Sequence, residues 1–226
     1  MSGLFDHLKA AALANWTAYT SHDFVQRLAG NRLPEAAFRF YLVQDYLFLI
    51  QFARAQALAA YKSRTLREMR AAKDGLVAIL DVELDLHVRL SARWGLSPDD
   101  LESASEHAAT VAYTRLVLDA GMAGDLLDLR VALAPCVIGY GEIARAIAPE
   151  AGRHPGHPQG DWVAEYAGEA YQDVARAARE ELDRLGHDLP PRRLAELERL
   201  FAKACDLEAA FWQMALDESA RQPFDR

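Results

Sequence analysis

Residues 34–52 read Pro34-Glu35-Ala36-Ala37-Phe38-Arg39-Phe40-Tyr41-Leu42-Val43-Gln44-Asp45-Tyr46-Leu47-Phe48-Leu49-Ile50-Gln51-Phe52, and the pattern continues towards Tyr61. Phe38, Tyr41, Leu42, Asp45, Phe48, Leu49 and Phe52 recur at spacings of three and four, so they share one face of a helix. Pro34 suits the start of such a helix. The face is apolar and aromatic except for Asp45, a poor residue for a helix interior and a costly one to bury without a partner. Thus the stretch predicts both a long core helix and a carboxylate that needs a hydrogen-bond donor.

The same reading extends along the chain. Thr65 followed by Glu68 forms a capping-box pattern for a helix running to about Trp94, through Met69, Leu76, Leu80, Leu84, His87 and Val88. Ser97 can cap a new helix with Pro98 at its first position. Further helical stretches are expected near Glu106 to Ala120, Asp125 to Ile147, Asp161 to Leu185 and Pro191 to Ser219. Arg153-His154-Pro155-Gly156-His157-Pro158-Gln159-Gly160 is the clearest loop. No segment alternates with period two, so no strand is expected. The expectation is an all-α helical bundle with one domain over residues 1–226.

Two other reactive groups occupy comparable stripes. Cys136 follows Pro135 and has Ala132, Leu133, Gly139 and Tyr140 as helical neighbours. Glu208 has Ala204, Cys205, Phe211 and Trp212. A buried cysteine is commonly an inert packing group. Pro135, however, kinks a helix or starts one, and either geometry leaves free N–H groups that favour a thiolate. Cys205 has no such setting and reads as packing. Asp45 either pairs with an arginine from another helix or accepts hydrogen bonds from a ligand amine. Glu208, beside aromatic rings, can carry a proton near neutrality and deliver it to a leaving group or a ring nitrogen. Tyrosines at 41, 113, 140 and 166 would favour a flat ligand with polar edges. Glu83 and His87, four apart, could hold a metal, but the second cluster such a site requires is missing from the pattern.

Composition narrows the function further. The 226 residues carry 25 basic and 33 acidic side chains, for a formal net charge of −8. That disfavours a nucleic-acid backbone or an anionic membrane as partner. The first residues lack the basic-then-apolar pattern of a secretory leader, and no apolar run approaches the roughly 20 residues of a membrane span. Two cysteines do not make a disulfide framework. A cytoplasmic protein with reduced thiols is expected.

Together the stripes resemble the TenA family, thiaminase II, also described as aminopyrimidine aminohydrolase. The resemblance covers nearly the whole chain and rests on Phe40-Tyr41-Leu42-Val43-Gln44-Asp45-Tyr46, Ala112-Tyr113-Thr114 and Leu133-Ala134-Pro135-Cys136. It rests also on Gly156-His157-Pro158 with Trp162 and Tyr166, and on Glu208-Ala209-Ala210-Phe211-Trp212. It implies the haem-oxygenase-like fold, a homotetramer and no metal, haem or organic cofactor. It implies hydrolysis of an aminomethyl-pyrimidine from degraded thiamin to hydroxymethyl-pyrimidine and ammonia, with thiamin itself a further substrate of many members. By resemblance, Cys136 is the nucleophile and Glu208 the proton donor. Asp45, Tyr140 and Tyr166 are substrate contacts, while Tyr113 and Phe211 shape the pocket. Phe48 stands where better-known members place a tyrosine whose hydroxyl assists the cysteine, which bears on rate and leaving-group preference. The alternative is a member of the same fold that binds a heterocycle, or regulates, without turning it over.

Overall fold

The computed structural model describes residues 3–221, and all their regular structure is helical. In chain order the α-helices are α1 (Leu4–Ala11), α2 (Leu13–Thr20), α3 (Asp23–Ala29), α4 (Glu35–Lys62), α5 (Leu66–Ala78), α6 (Leu84–Ser91) and α7 (Pro98–Ser103). They continue as α8 (Ala108–Ala123), α9 (Leu126–Ala134), α10 (Tyr140–Ala151), α11 (Gly160–Ala167), α12 (Glu169–Leu185) and α13 (Pro191–Arg221). Two π turns, Ile79–Glu83 and Pro135–Gly139, join α5 to α6 and α9 to α10 without ending the helical path.

The caps follow their sequence signals. The Thr65 hydroxyl accepts the Glu68 N–H, and the Glu68 carboxylate accepts the Thr65 N–H in return. Ser97 and Asp100 form the same reciprocal pair, with Pro98 at the first helical position. Each arrangement satisfies backbone donors that a helix start leaves orphaned.

The chain divides into two compact units. The first comprises residues up to Leu33 and Arg130–Gln213; the second comprises Pro34–Leu129 and the residues from Met214. In the first unit, α10 packs on α3 and α11, and α1 packs on α12. Its core is aromatic. The Trp16 and Phe201 rings stack at 5.7 Å, Phe5 meets both edge-on, and Trp212 stacks between Phe24 at 4.7 Å and Tyr19 at 6.3 Å. In the second unit, α4 packs against α5, α6, α7 and α8. Buried Gln44 on α4 holds the entry to α8. Its amide N–H donates to the Ser105 carbonyl, and its carbonyl accepts from the His107 N–H and the Thr110 hydroxyl.

Three features depart from the sequence expectations. α1, α2 and α3 were not anticipated; each spans seven or eight residues, too short for a periodic signal to build. Gly168 separates α11 from α12, where one helix was expected. Finally, the helical path Leu126–Ala151 is long and apolar enough to cross a membrane by length and composition, contrary to the run-length estimate. Yet 72% of its most apolar window is buried inside the protein.

Candidate active site

Five of the expected site residues, Cys136, Glu208, Tyr140, Tyr166 and Phe211, belong to the first unit, and all five are buried. Cys136 lies within the π turn Pro135–Gly139. A proline inside an α-helix lacks the N–H for its own turn, and its ring presses on the carbonyl four residues earlier. Widening to a π turn accommodates both effects, and single π turns recur at functional sites. Of the two geometries expected, a kinked helix or a helix start, the start is the one excluded. The backbone stays right-handed helical on both sides, at Ala134 and Tyr140. The thiol donates to the Leu133 carbonyl at 3.1 Å.

Two tyrosines hold this turn from outside. The Tyr19 hydroxyl donates to the Pro135 carbonyl at 3.2 Å, and the Tyr171 hydroxyl donates to the Cys136 carbonyl at 3.3 Å. The close approach of Tyr19 requires Gly139, because a Cβ there would stand 2.6 Å from the tyrosine ring. Burial, followed by the acidic groups of Glu208, Cys136, Tyr171 and Cys205, raises the Tyr19 pKa well above that of an ordinary phenol. Thiol and carboxyl thus both act on the charge of Tyr19, although 72 residues of sequence separate them (208 − 136). Tyr140 extends the aromatic wall. Its ring lies 5.4 Å from that of Tyr166 and 5.3 Å from that of Trp212. Cys205 fits its assignment to packing: burial, with Glu208 and Asp206, pushes its thiol pKa far up, so it remains protonated.

Asp45, Phe48 and Tyr113 belong to the second unit. The Phe48 and Tyr113 rings pack at 5.0 Å, joining α4 to α8. Asp45 is buried, and its partners are a histidine and a tyrosine instead of the arginine weighed above. Its Oδ2 accepts the Tyr41 hydroxyl at 2.8 Å and lies 2.7 Å from His87 Nε2. His87 is fully buried, with Nδ1 2.8 Å from the Glu83 backbone carbonyl. Burial alone would lower the His87 pKa. The hydrogen bond and charge of Asp45, with the Glu83 carbonyl, outweigh that and raise it.

Both His87 nitrogens are therefore engaged, and Glu83 meets the ring through its main chain, so this pair is not arranged as metal ligands. Sequence reasoning missed His87 as the partner of Asp45, and it missed Tyr19 and Tyr171 altogether. For His87 a signal existed: a histidine on the apolar stripe of Leu76, Leu80, Leu84 and Val88 requires a partner once buried.

Comparison with known proteins places these features in a family. A family model described as TENA/THI-4/PQQC matches residues 10–218. An aminopyrimidine aminohydrolase from Halalkalibacterium halodurans is 37% identical, covering 90% of this chain and 91% of that protein. The crystal structure of a TenA family transcription regulator from Silicibacter sp. TM1040 superposes with a TM-score of 0.89. It is 44% identical and covers 95% of this chain and 97% of its own. A domain with a heme oxygenase-like fold from Shewanella denitrificans superposes with a TM-score of 0.71 at 14% identity, covering 97% of this chain and 94% of its own.

Proposed function

Because this chain belongs to the TENA/THI-4/PQQC family, we propose that it hydrolyses an aminomethyl-aminopyrimidine to the hydroxymethyl-pyrimidine and ammonia. The supporting observation is that the Cys136 thiol and the Glu208 carboxyl are both buried in the first unit and both weigh on the ionisation of buried Tyr19. A nucleophile and a proton carrier in a desolvated aromatic setting suit addition to an electron-poor ring. In this reading Glu208 protonates a ring nitrogen as the Cys136 thiolate adds to a ring carbon. The ring electrons then expel the amine from the exocyclic methylene, and the amine leaves as ammonia after protonation. Water adds to the methylene carbon, the thiolate is released, and the ring is restored. One difficult displacement becomes two easier ones.

By the family resemblance, the ring amino group falls to Asp45, contact with the ring to Tyr140 and Tyr166, and the shaping of the pocket to Phe48, Tyr113 and Phe211. Thiamin is a second substrate in the same reading. The proposed assembly is a homotetramer in the cytoplasm. Exposed Leu66, Met69, Val77, Leu80 and Val82 along α5 and the following π turn support association, and sedimentation measures it.

The test is ammonia release by wild type and Cys136→Ser, with thiamin run in parallel. The substitution is expected to lower turnover by more than about 10³-fold, as loss of a covalent nucleophile does, while product binding persists. A well-folded wild type that binds the pyrimidine without turnover would replace this reading with the heterocycle-binding one.

A further inference from the structure

The Asp45–His87 pair fixes more than a contact. A backbone carbonyl can only accept, so His87 Nδ1, 2.8 Å from the Glu83 oxygen, must carry a proton. Were the ring neutral, Nε2 would be bare and Asp45 Oδ2 would have to supply the proton between them. Oδ2 already accepts the Tyr41 hydroxyl at 2.8 Å, and the hydroxyl oxygen of a carboxylic acid is a poor acceptor. Two donors converging on one oxygen identify a carboxylate, and the proton then belongs to the ring. Asp45 Oδ1 makes no hydrogen bond among the described residues.

We propose that His87 is a positioning residue held as an imidazolium, which with Tyr41 occupies Asp45 Oδ2 and leaves Oδ1 as the acceptor for the substrate's ring amine. This rests on the pyrimidine reading above and specifies how its carboxylate is prepared. A carboxylate pinned through one oxygen offers the other in a fixed plane, so the orientation is set before the ligand arrives. The titratable groups bearing on His87 are Asp45, from α4, and Glu83, from its own helical path; Tyr41 faces Asp45. The raised pKa of the ring agrees with the geometry.

Two measurements test the proposal. The first is the ¹⁵N spectrum of histidine-labelled protein, with His87 assigned by its loss in His87→Gln. Both ring nitrogens should be protonated at about pH 7.5, above the ordinary imidazole titration. One bare nitrogen at that pH overturns the imidazolium. The second is steady-state hydrolysis of the aminomethyl-aminopyrimidine. His87→Leu removes the donor and should raise KM about 10- to 100-fold, the size of a hydrogen bond to a charged group, with a smaller change in kcat.

His87→Gln keeps a donor. It should retain KM within a few-fold and lose the rise in KM that wild type shows as His87 deprotonates. An unchanged KM in folded His87→Leu, or an unchanged pH profile in His87→Gln, overturns the positioning role. If His87→Leu does not fold, the glutamine variant and the spectrum still decide. Wild type that neither hydrolyses nor binds a pyrimidine removes the functional reading, and the positioning role with it, while the spectrum still reports the charge on His87.

Discussion

Each unit interrupts a long helix with one π turn beside a group implicated in chemistry, but the two turns are built differently. The turn at Pro135–Gly139 follows from a proline and is enclosed: Pro135, Cys136, Ile138 and Gly139 are buried, and two tyrosine hydroxyls cap its carbonyls. The turn at Ile79–Glu83 contains no proline and leaves Leu80 and Val82 exposed, and its last carbonyl meets His87. A carbonyl has two lone pairs, so a helix can offer one to a side chain without losing its own ladder. In the first unit that capacity braces the backbone of Cys136 from outside. In the second it engages Nδ1 of His87, the partner of Asp45. The first turn is held by packing; the second meets a polar pair.

The sharpest way to break this contrast is to remove the charge. His87→Leu leaves Asp45 buried with Tyr41 alone, and breaking such a pair costs about 3–5 kcal/mol. Urea unfolding that shows less than half of this would mean the second turn does not depend on its ion pair. Next in size is a packing test. Gly139→Ala forces a Cβ to within 2.6 Å of the Tyr19 ring, and overpacking of that kind costs about 1–3 kcal/mol. Gly75→Ala, in α5 before the other turn, meets the Gln56 side chain at 3.1 Å. The neighbour is the end of a side chain that needs to shift by only a few tenths of an ångström, against which alanine gains up to about 1 kcal/mol of helix propensity. Equal destabilisation by the two alanines would erase the distinction between a rigid turn and a tolerant one.

A smaller effect comes from pH. The folded His87 pKa is raised, so its contribution to stability is complete below the unfolded value of about 6.5. It is lost as pH rises through the folded value. Unfolding free energy should therefore fall in wild type as pH rises above about 6.5, and the corresponding slope should be missing from His87→Gln. The mildest substitution is Phe48→Tyr, which adds a hydroxyl beside Tyr113 and should leave hydrolysis unchanged or raise it. A sharp loss in the ammonia assay would show that the pocket is built around the phenyl ring.

Much of the fold was legible because its helices are long and well punctuated. Pro34, the Thr65–Glu68 box and Ser97-Pro98 each marked a boundary that the structure keeps. The stripes also put Asp45, Cys136 and Glu208 on buried faces. Periodicity tells which side of a helix turns inward, but not which other helix meets it. Hence Asp45 was weighed between an arginine and a ligand amine, while its partner within the protein is His87, and Tyr19 went unnoticed in an eight-residue helix. Pro135 signalled an irregularity in its helix or a start there, and the structure has the irregularity, as a π turn. Nothing in Ile79-Leu80-Asp81-Val82-Glu83 announces a π turn.

The interleaving of the two units has a consequence during synthesis. Phe5 and Trp16 leave the ribosome well before Phe201, on which both pack and which is made about 10 to 40 s later at 5–20 residues per second. The second unit, by contrast, owns an uninterrupted run from Pro34 to Leu129. For that interval the aromatic residues of α1 and α2 lack their permanent partners. The aromatic faces of α1 and α2 therefore stay without their late-made cover for most of synthesis, which makes these two helices a natural place for a chaperone to hold.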